Sequence, residues 1–238
     1  MSKNSDGDMR EARRYRGQDR AQRREARRQR LLDTGLDTFG TSGFSSSTIE
    51  RLCADAQVTI RSFYEEFDGR EALLAAVHDE IAGQLRDAIR DALARATTVT
   101  ERVEATLWAF VHVTVDDPRR GRVLCLTSVA VSDAMEQRRR TILHSFAALV
   151  DRLVGSLPED RSPTQVRLSH MVAYGLIGAS SALVVEYLST PDPPGPESLY
   201  QAMRHLWLSG LAAASTSDLP PLVDVAAGAP EANWAACV

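Results

Sequence analysis

The stretch that decides the fold runs from residue 47 to residue 67 and reads STIERLCADAQVTIRSFYEEF. Ser47-x-x-Glu50 has the spacing of a capping box and predicts the start of a short helix. Thr59 is placed to cap a second short helix that extends through Tyr64. Because only a tight turn at 54–58 separates them, the two segments indicate a helix-turn-helix, whose second helix can enter a DNA groove.

Longer helices flank this stretch. Asp19 and Gln22 form an N-cap pair, and a helical pattern then continues to Phe39, where the GTSG of 40–43 ends it. Asp68-x-x-Glu71 predicts the cap of a long helix. One continuous apolar stripe marks that helix: Leu73, Leu74, Val77, Ile81, Leu85 and Ile89.

The rest of the chain predicts further helices and no strand. They cover 101–115 (with Thr100 as cap), 118 to about 130, about 132 to 156, 163 to about 189 and 197–213. The expected fold class is all-α, with an N-terminal three-helix helix-turn-helix domain joined by a long helix to a larger helical bundle. The expected divisions are a disordered basic arm (1–18), the helix-turn-helix domain (19–68), the linker helix with a ligand-binding and dimerisation domain (69–213) and a flexible tail (214–238).

Charge is distributed unevenly along the chain. The 238 residues carry a net charge of −4, yet residues 1–30 hold 11 Lys and Arg against five acids, which leaves a net charge of −10 on the remainder. A basic arm on an acidic body is typical of a nucleic-acid binder. A solvated tail without a partner would have the same composition, so charge alone leaves both interpretations open.

Several classes of protein fit the sequence poorly. Cys53, Cys125 and Cys237 form no CxxC pair, and the five histidines show no metal-ligand spacing, so neither a disulfide framework, a metal nor another cofactor is expected. The longest uncharged apolar run, 171–185, is shorter than the roughly 20 residues of a membrane span. The basic N-terminus precedes no apolar segment of a secretory signal. We therefore expect a soluble cytoplasmic protein that does not bind membranes.

Residues 30–77 resemble the N-terminal domain of TetR-family transcriptional regulators. The matching features are LLD and a later Phe in the first helix, Gly43-Phe44, and Ser47-Thr48-Ile49 at the start of the second helix. They continue in the motifs A-x-V-T (56–59), F-Y-x-x-F (63–67) and R-E-x-L-L (70–74). About 48 residues are covered at fixed spacings, whereas the rest matches the family only in its helical architecture.

The resemblance implies roles in DNA binding for particular residues. Thr48 stands where the family has a hydroxyl that bonds a phosphate, and Tyr64 where an aromatic hydroxyl meets the backbone. Arg70 replaces the family's usual Lys and is expected at a phosphate. The complete set of expected DNA contacts is Ser47, Thr48, Thr59, Ile60, Arg61, Ser62, Tyr64 and Arg70. Only Arg61 on the base-reading face can contact guanine with two hydrogen bonds, worth about 1–3 kcal/mol of discrimination.

Three departures from the family pattern are informative. Gln57 occupies a turn position where the family usually has Gly and where φ is often positive. Gly35 stands in the first helix where Ala is usual, a loss of about 0.8–1.0 kcal/mol in helix propensity. Glu65 and Glu66 make the helix-turn-helix acidic, because residues 31–70 hold three arginines against seven acids. We therefore expect DNA binding to depend on the arginines of the N-terminal arm, whose end is expected near the minor groove.

The second half contains the candidates for a ligand pocket and a dimer interface. The pocket candidates are Trp108, Phe110, His112, Cys125, Phe146, His170, Met171 and Tyr174, with core packing as the alternative for each. The resemblance implies a dimer through the last two long helices. A strip of small residues and two apolar anchors are its candidates: Gly175, Gly178, Ala179, Ala182, Leu206 and Trp207.

The sequence thus predicts a DNA-binding transcriptional regulator, a homodimeric repressor that a small molecule releases from a palindromic operator. The alternatives are an activator, a regulator without a small-molecule ligand, and a non-specific DNA binder driven by the arm alone. An enzyme is not expected, because no nucleophile elbow, phosphate loop, metal spacing or paired carboxylates form a plausible site.

Overall fold

A computed structural model describes residues 5–129, 131–154 and 163–215 of the chain, with side chains over 21–129, 131–150, 167 and 169–212. Within these ranges every regular element is helical, which confirms the all-α class. The helices are α1 Ser5–Thr41, α2 Ile49–Asp55, α3 Ile60–Tyr64, α4 Arg70–Leu93, α5 Val99–Val115, α6 Pro118–Arg122, a π-helical turn Val123–Thr127, α7 Asp133–Val154, α8 Pro163–Ser189 and α9 Pro196–Ser215. The tail predicted at 214–238 lies, apart from its first two residues, outside the described residues.

The first helix begins earlier than the sequence predicts. Residues 5–18, expected as a disordered arm, are helical and continuous with the segment expected to start at Asp19. Residues 5–18 contain no proline and have four arginines, which favour helices, although Gly7 and Gly17 disfavour them. No proline therefore interrupts α1 before Thr41.

Three predicted caps are replaced by neighbouring residues. Thr48, not Ser47, caps α2 and accepts a hydrogen bond from the Arg51 amide. Gly69 occupies the cap position of α4, so Asp68 lies one residue too early to cap it. Thr98, not Thr100, forms a reciprocal capping box with Glu101 at the start of α5. The predicted Thr59 cap on α3 is confirmed, and Asp117 caps α6 before Pro118.

One apolar core holds the helix-turn-helix and extends beyond it. Leu52 of α2 and Phe63 of α3 are completely buried against the stripe on α4, and Phe67 closes the cluster. Val123 and Met135, which lie far along the chain, belong to the same cluster. Fully burying a side chain of this size stabilises the fold by about 1.5–3 kcal/mol. The α2–α3 pair is therefore packed against the π-helical turn and α7 as well as against α1 and α4.

A close contact joins α1 to α6. A Cβ atom added to Gly40 would lie 2.6 Å from the Cβ atom of Arg119 and 2.7 Å from its Cα atom, so only glycine permits this approach. Nearby, the Thr127 hydroxyl donates a 3.1 Å hydrogen bond to the Phe39 carbonyl. The π-helical turn is thereby tied to the end of α1. Two further apolar clusters fill the space among α4, α5, α7, α8 and α9.

Candidate nucleic-acid interface and ligand cavity

The turn between α2 and α3 has the backbone geometry that the sequence suggests. Gln57 has φ = 54°, in the left-handed region where the family's usual glycine would be unstrained. The Val58 amide donates to the Cys53 carbonyl over 3.0 Å and closes the turn. The Thr59 hydroxyl then accepts from the Ser62 amide over 3.1 Å, which starts α3 directly after the turn.

The predicted reading face of α3 is open to solvent. Ile60 and Tyr64 are 47% and 54% exposed, which is high for large apolar residues, and the Arg61 side chain is 90% exposed. Thr59 is exposed as well, and its hydroxyl donates to Ser62 Oγ over 3.0 Å. Phe63, one residue away, is completely buried. The two faces of α3 are therefore divided between core and solvent as expected of a recognition helix.

Two other predicted DNA contacts have internal partners. Ser47 is only 1% exposed and its hydroxyl donates to the Phe44 carbonyl over 2.7 Å, so the expectation of a Ser47–DNA contact is wrong for this geometry. The Arg70 guanidinium donates to the Ser47 carbonyl and to Ser47 Oγ, and lies 4.8 Å above the Phe44 ring. Arg70 therefore fastens the α1–α2 loop to the start of α4, whereas Thr48 remains exposed at the start of α2.

The acidic pair at the end of α3 faces the arginines of α1. Arg24 Nε lies 2.9 Å from Glu66 Oε1, and an Arg27 nitrogen lies 4.0 Å from a Glu65 oxygen. The Glu66 side chain is only 2% exposed. The contact with Glu66 raises the pKa of Arg24 through a hydrogen bond and charge attraction. The two glutamates thus neutralise part of the basic helix and fix it beside α3.

A cavity lies among α4, α5, the π-helical turn, α7, α8 and α9. Its volume is about 80 Å³, and its walls are mostly aliphatic and aromatic. Three of the predicted pocket residues, Phe110, Cys125 and Phe146, line it. Burial raises the pKa of the Cys125 thiol to about 12, so this cysteine stays protonated at neutral pH.

The other five predicted pocket residues lie elsewhere. Trp108 is 45% exposed and makes edge contacts with His112 and Tyr200, while the His112 ring bonds Asp116. Met171 faces solvent. The remaining two, His170 and Tyr174, contact the His144 ring on α7. Helical periodicity placed these residues on amphipathic helices but could not distinguish the face toward the cavity from the face next to it.

The cavity has residues that the sequence did not point to. They are mainly aliphatic, with the polar members His78, Thr106, Arg139, Ser180 and Ser181. His78 sits on the apolar stripe of α4, next to Val77, and a histidine on such a stripe is a signal that could have identified it. The packing of α4 against α7, some 40 residues further along the chain, gave no comparable local signal. Among the residues whose side chains are described, no three His, Cys, Asp or Glu side chains cluster closely enough to hold a metal ion.

The predicted dimer residues are only partly on one surface. Gly175, Gly178 and Ala182 are exposed on α8, with Ala179 and Leu206 half-buried. Trp207 points inward instead: it is buried, lines the cavity and donates from its indole nitrogen to Ser180 Oγ over 2.8 Å. The expectation that Trp207 lies in the dimer interface is therefore wrong, because its indole is buried and bonds a partner within the bundle.

The α8 surface is unusually apolar. The most apolar 18-residue window within residues 169–189 has a mean hydropathy of 1.5, and only 22% of this window is buried. By length and composition this one described helix could cross a membrane, although the apolar run read from the sequence was too short. A helix whose apolar face is covered by a partner helix would have the same length and composition.

Comparison with known proteins identifies the N-terminal segment. Residues 31–77 match the model of bacterial regulatory proteins of the tetR family. The HTH-type transcriptional repressor DhaR of Mycobacterium sp. (strain GP1) is 26% identical over 140 residues, 59% of this chain and 70% of DhaR. These relatives are transcriptional regulators, not enzymes, and they confirm the resemblance found in the sequence.

Solved structures share the fold. The fatty acid degradation regulator FadR from Bacillus halodurans superposes with a TM-score of 0.67 at 17% identity, over 78% of this chain and 96% of its own. FadR from Bacillus subtilis, in complex with stearoyl-CoA, superposes with a TM-score of 0.64 at 18% identity, over 76% of this chain and 98% of its own. At these identities the likeness establishes the architecture alone.

Proposed function

We propose that this chain is a transcriptional regulator of the tetR family, and that it is a homodimeric repressor that a small molecule releases from a palindromic operator. It acts in the cytoplasm and needs no cofactor. The division into a reading domain at 19–68 and a sensor at 69–213 forms part of the proposal. Repression is supported by the relative DhaR, which is a repressor, and a small-molecule effector by the stearoyl-CoA held in the B. subtilis FadR structure.

One observation carries the proposal: α4 packs against the helices of the reading domain and also lines the cavity. Its first turns bury Leu73 and Leu74 in the core of the helix-turn-helix. Further along the same helix, Leu85 and Ile89 line the cavity. A ligand that widens the cavity moves α4, and α4 cannot move without moving α3. The two sites are thereby coupled, as ligand-induced release of DNA requires.

Sequence reading is assigned to the exposed face of α3. Arg61 supplies two hydrogen-bond donors to guanine, and Ile60 and Ser62 lie beside it to contact base edges. Thr48, Thr59 and Tyr64 contact the phosphate backbone, which fixes the position of α3 without reading sequence. Because Arg70 is engaged with the α1–α2 loop, its contribution is to hold α2 and α3 in register and its phosphate contact is secondary.

Dimerisation is assigned to the exposed apolar face of α8. Gly175 and Gly178 have open space where a side chain would begin, so a partner helix can approach closely. Ala179, Ala182 and Leu206 extend this face. Two-fold symmetry then places two α3 helices about 34–36 Å apart, or a multiple of that distance, on a palindromic site.

The test is binding of the full chain to a palindrome from its own promoter region and to a scrambled duplex, each at two salt concentrations. We expect the palindrome to bind at least tenfold tighter at both. Equal affinity for the two duplexes would reject sequence-specific regulation.

A chain without residues 1–18 separates the regulator from an arm-driven binder. We expect weaker binding with the preference for the palindrome retained, because α3 carries the specificity. Loss of all preference would support the arm alone.

A further inference from the structure

The cavity is apolar with a few polar groups, and most of those are already paired. Trp207 donates to Ser180, and the Ser181 hydroxyl donates to the Ile177 carbonyl over 3.1 Å. The Arg139 guanidinium donates to both Glu136 oxygens over 2.9 Å, so its charge is balanced at the cavity wall. The two serine hydroxyls donate to backbone carbonyls and have no O–H left for a ligand, whereas Arg139 keeps N–H donors but has its charge balanced by Glu136.

Two polar side chains in the cavity wall, His78 and Thr106, are buried without a hydrogen-bond partner in the part of the chain that the structure describes. His78 of α4 is 1% exposed, and neither ring nitrogen has a hydrogen-bond partner among the described residues. The Leu124 backbone favours the protonated ring through a hydrogen-bonding interaction that is too long or too bent to count as a formed bond. The Thr106 hydroxyl of α5 is also buried without a partner. Buried polar groups in native proteins are nearly always bonded, so an unpaired pair in one cavity indicates a ligand.

The cavity offers no unbalanced positive charge. Burial lowers the pKa of His78, and the neighbouring Asp79 carboxylate opposes that shift only in part, so the ring is neutral at pH 7. A neutral imidazole has one N–H donor and one acceptor nitrogen. A carboxylate would find no counter-charge here except Arg139, and would have to compete with Glu136 for it.

We propose that the cavity binds a small uncharged apolar molecule with one hydroxyl group, and that His78 and Thr106 hold that hydroxyl. A hydroxyl donates and accepts, which matches both a neutral imidazole and a threonine hydroxyl, and the apolar walls bind the remaining carbon skeleton. The volume of about 80 Å³ is below the ~300–1,000 Å³ of drug-sized sites and below the roughly 150 Å³ of an apolar cavity that holds benzene, so the ligand is at most a single ring and the walls widen to admit it. This inference rests on the proposed ligand-responsive function and specifies its ligand class.

The test is a ligand-observed NMR titration of the full chain at pH 7.5 with phenol, toluene and benzoate. The three probes share one ring and differ only in a hydroxyl, a methyl or a carboxylate. We expect phenol to bind at least five- to tenfold tighter than toluene, and benzoate to bind weakest. His78→Phe retains a ring but removes both nitrogens, so it should reduce phenol affinity to that of toluene and leave toluene within twofold.

Thr106→Val is the matched second variant, because valine has nearly the shape of threonine without its hydroxyl. We expect this variant to lower the affinity for phenol by a factor of about three to ten and to leave the affinity for toluene unchanged. Circular dichroism and operator affinity of both variants check that they are folded. Should His78→Phe fail to fold, the Thr106→Val titration and the order of the three probes on the unmodified chain still decide the matter.

Three results would overturn the proposal: benzoate binding as tightly as phenol, an unchanged phenol preference in both variants, or no binding of any probe. Operator binding measured on the same preparations separates this failure from failure of the regulator. A chain that binds the palindrome but not phenol remains a sequence-specific regulator with another ligand. A chain that binds phenol but not the palindrome contradicts the regulator and leaves the ligand class intact.

Discussion

Arg24 Nε on α1 lies 2.9 Å from Glu66 Oε1, just after the recognition helix. This pair explains why an acidic residue stands so close to a DNA-reading face. Arg28 lies 4.8 Å above the Phe67 ring, and Arg30 donates to the Ala56 carbonyl over 3.1 Å, so the middle of α1 is docked along the whole helix-turn-helix. These three arginines, which belong to the basic segment 1–30 expected to attract DNA, are therefore in part structural.

Replacing Glu66 with Gln removes one negative charge beside the DNA and releases Arg24. We expect tighter binding to any duplex and a slope of log K against log salt that is steeper by about 0.9 for one added phosphate contact. Measurement of affinity over a range of salt concentrations tests this. Asp91→Asn, which makes the same change in charge at the far end of α4, is the control and should leave the slope unchanged.

Arg61→Ala should relax specificity without abolishing binding. Loss of a two-bond contact to guanine costs about 1–3 kcal/mol, so the preference for palindrome over scrambled duplex should fall roughly five- to 150-fold. Arg61→Lys should restore little of it, since lysine cannot form the paired contact. A competition assay measures the ratio. An unchanged preference in Arg61→Ala would remove this residue from the base-reading set.

Gln57→Gly should stabilise the protein. At φ = 54° glycine avoids the roughly 1–2 kcal/mol cost of a left-handed residue and loses part of that gain through greater freedom when unfolded, for a net gain of about 0.5–1 kcal/mol. Gln84→Gly, at an exposed position inside α4, is the matched control and should cost about 1 kcal/mol. Urea denaturation of both variants should therefore give shifts of opposite sign; shifts of the same sign would contradict the explanation.

Gly40→Ala should loosen the contact between α1 and α6. The new methyl would lie 2.6 Å from Arg119 Cβ and 2.9 Å from the Arg119 carbonyl oxygen, and backbone must move to admit it. Overpacking of this kind costs about 1–3 kcal/mol in the free energy of unfolding. Gly83→Ala on α4, where the added Cβ meets nothing within 4 Å, should instead be neutral or stabilising. Thermal unfolding of the two variants measures the difference.

Gly178→Glu should separate the proposed dimer. A carboxylate placed in an apolar helix–helix interface would be buried without a partner, which costs several kcal/mol. Light scattering after gel filtration should show a monomer, with palindrome affinity reduced by at least tenfold. Gly83→Glu is the control and should stay dimeric. A dimeric Gly178→Glu protein would place the interface on another surface.

Local sequence determined the helices and the recognition motif of this protein. Helix periodicity and the Thr59 cap depend on residues within a few positions of one another, so their spacing predicted them. The positive φ at residue 57 was implied by the glycine that the family usually has there. The family resemblance added the roles of the residues on α3. Neighbouring hydroxyls and acids were ambiguous even locally, because Ser47 and Thr48 compete for one cap and the fold decides which side chain turns inward.

Tertiary structure decided which faces meet. Trp207 lies inward because Ser180, 27 residues away, accepts its indole hydrogen. Arg24 meets Glu66 across 42 residues, and His78 lines a cavity formed by helices from distant parts of the chain. A period of 3.6 residues shows that a helix has an apolar face, but the neighbour that covers this face depends on long-range packing. The reading domain could therefore be predicted from the sequence, whereas the cavity and the docking of α1 could not.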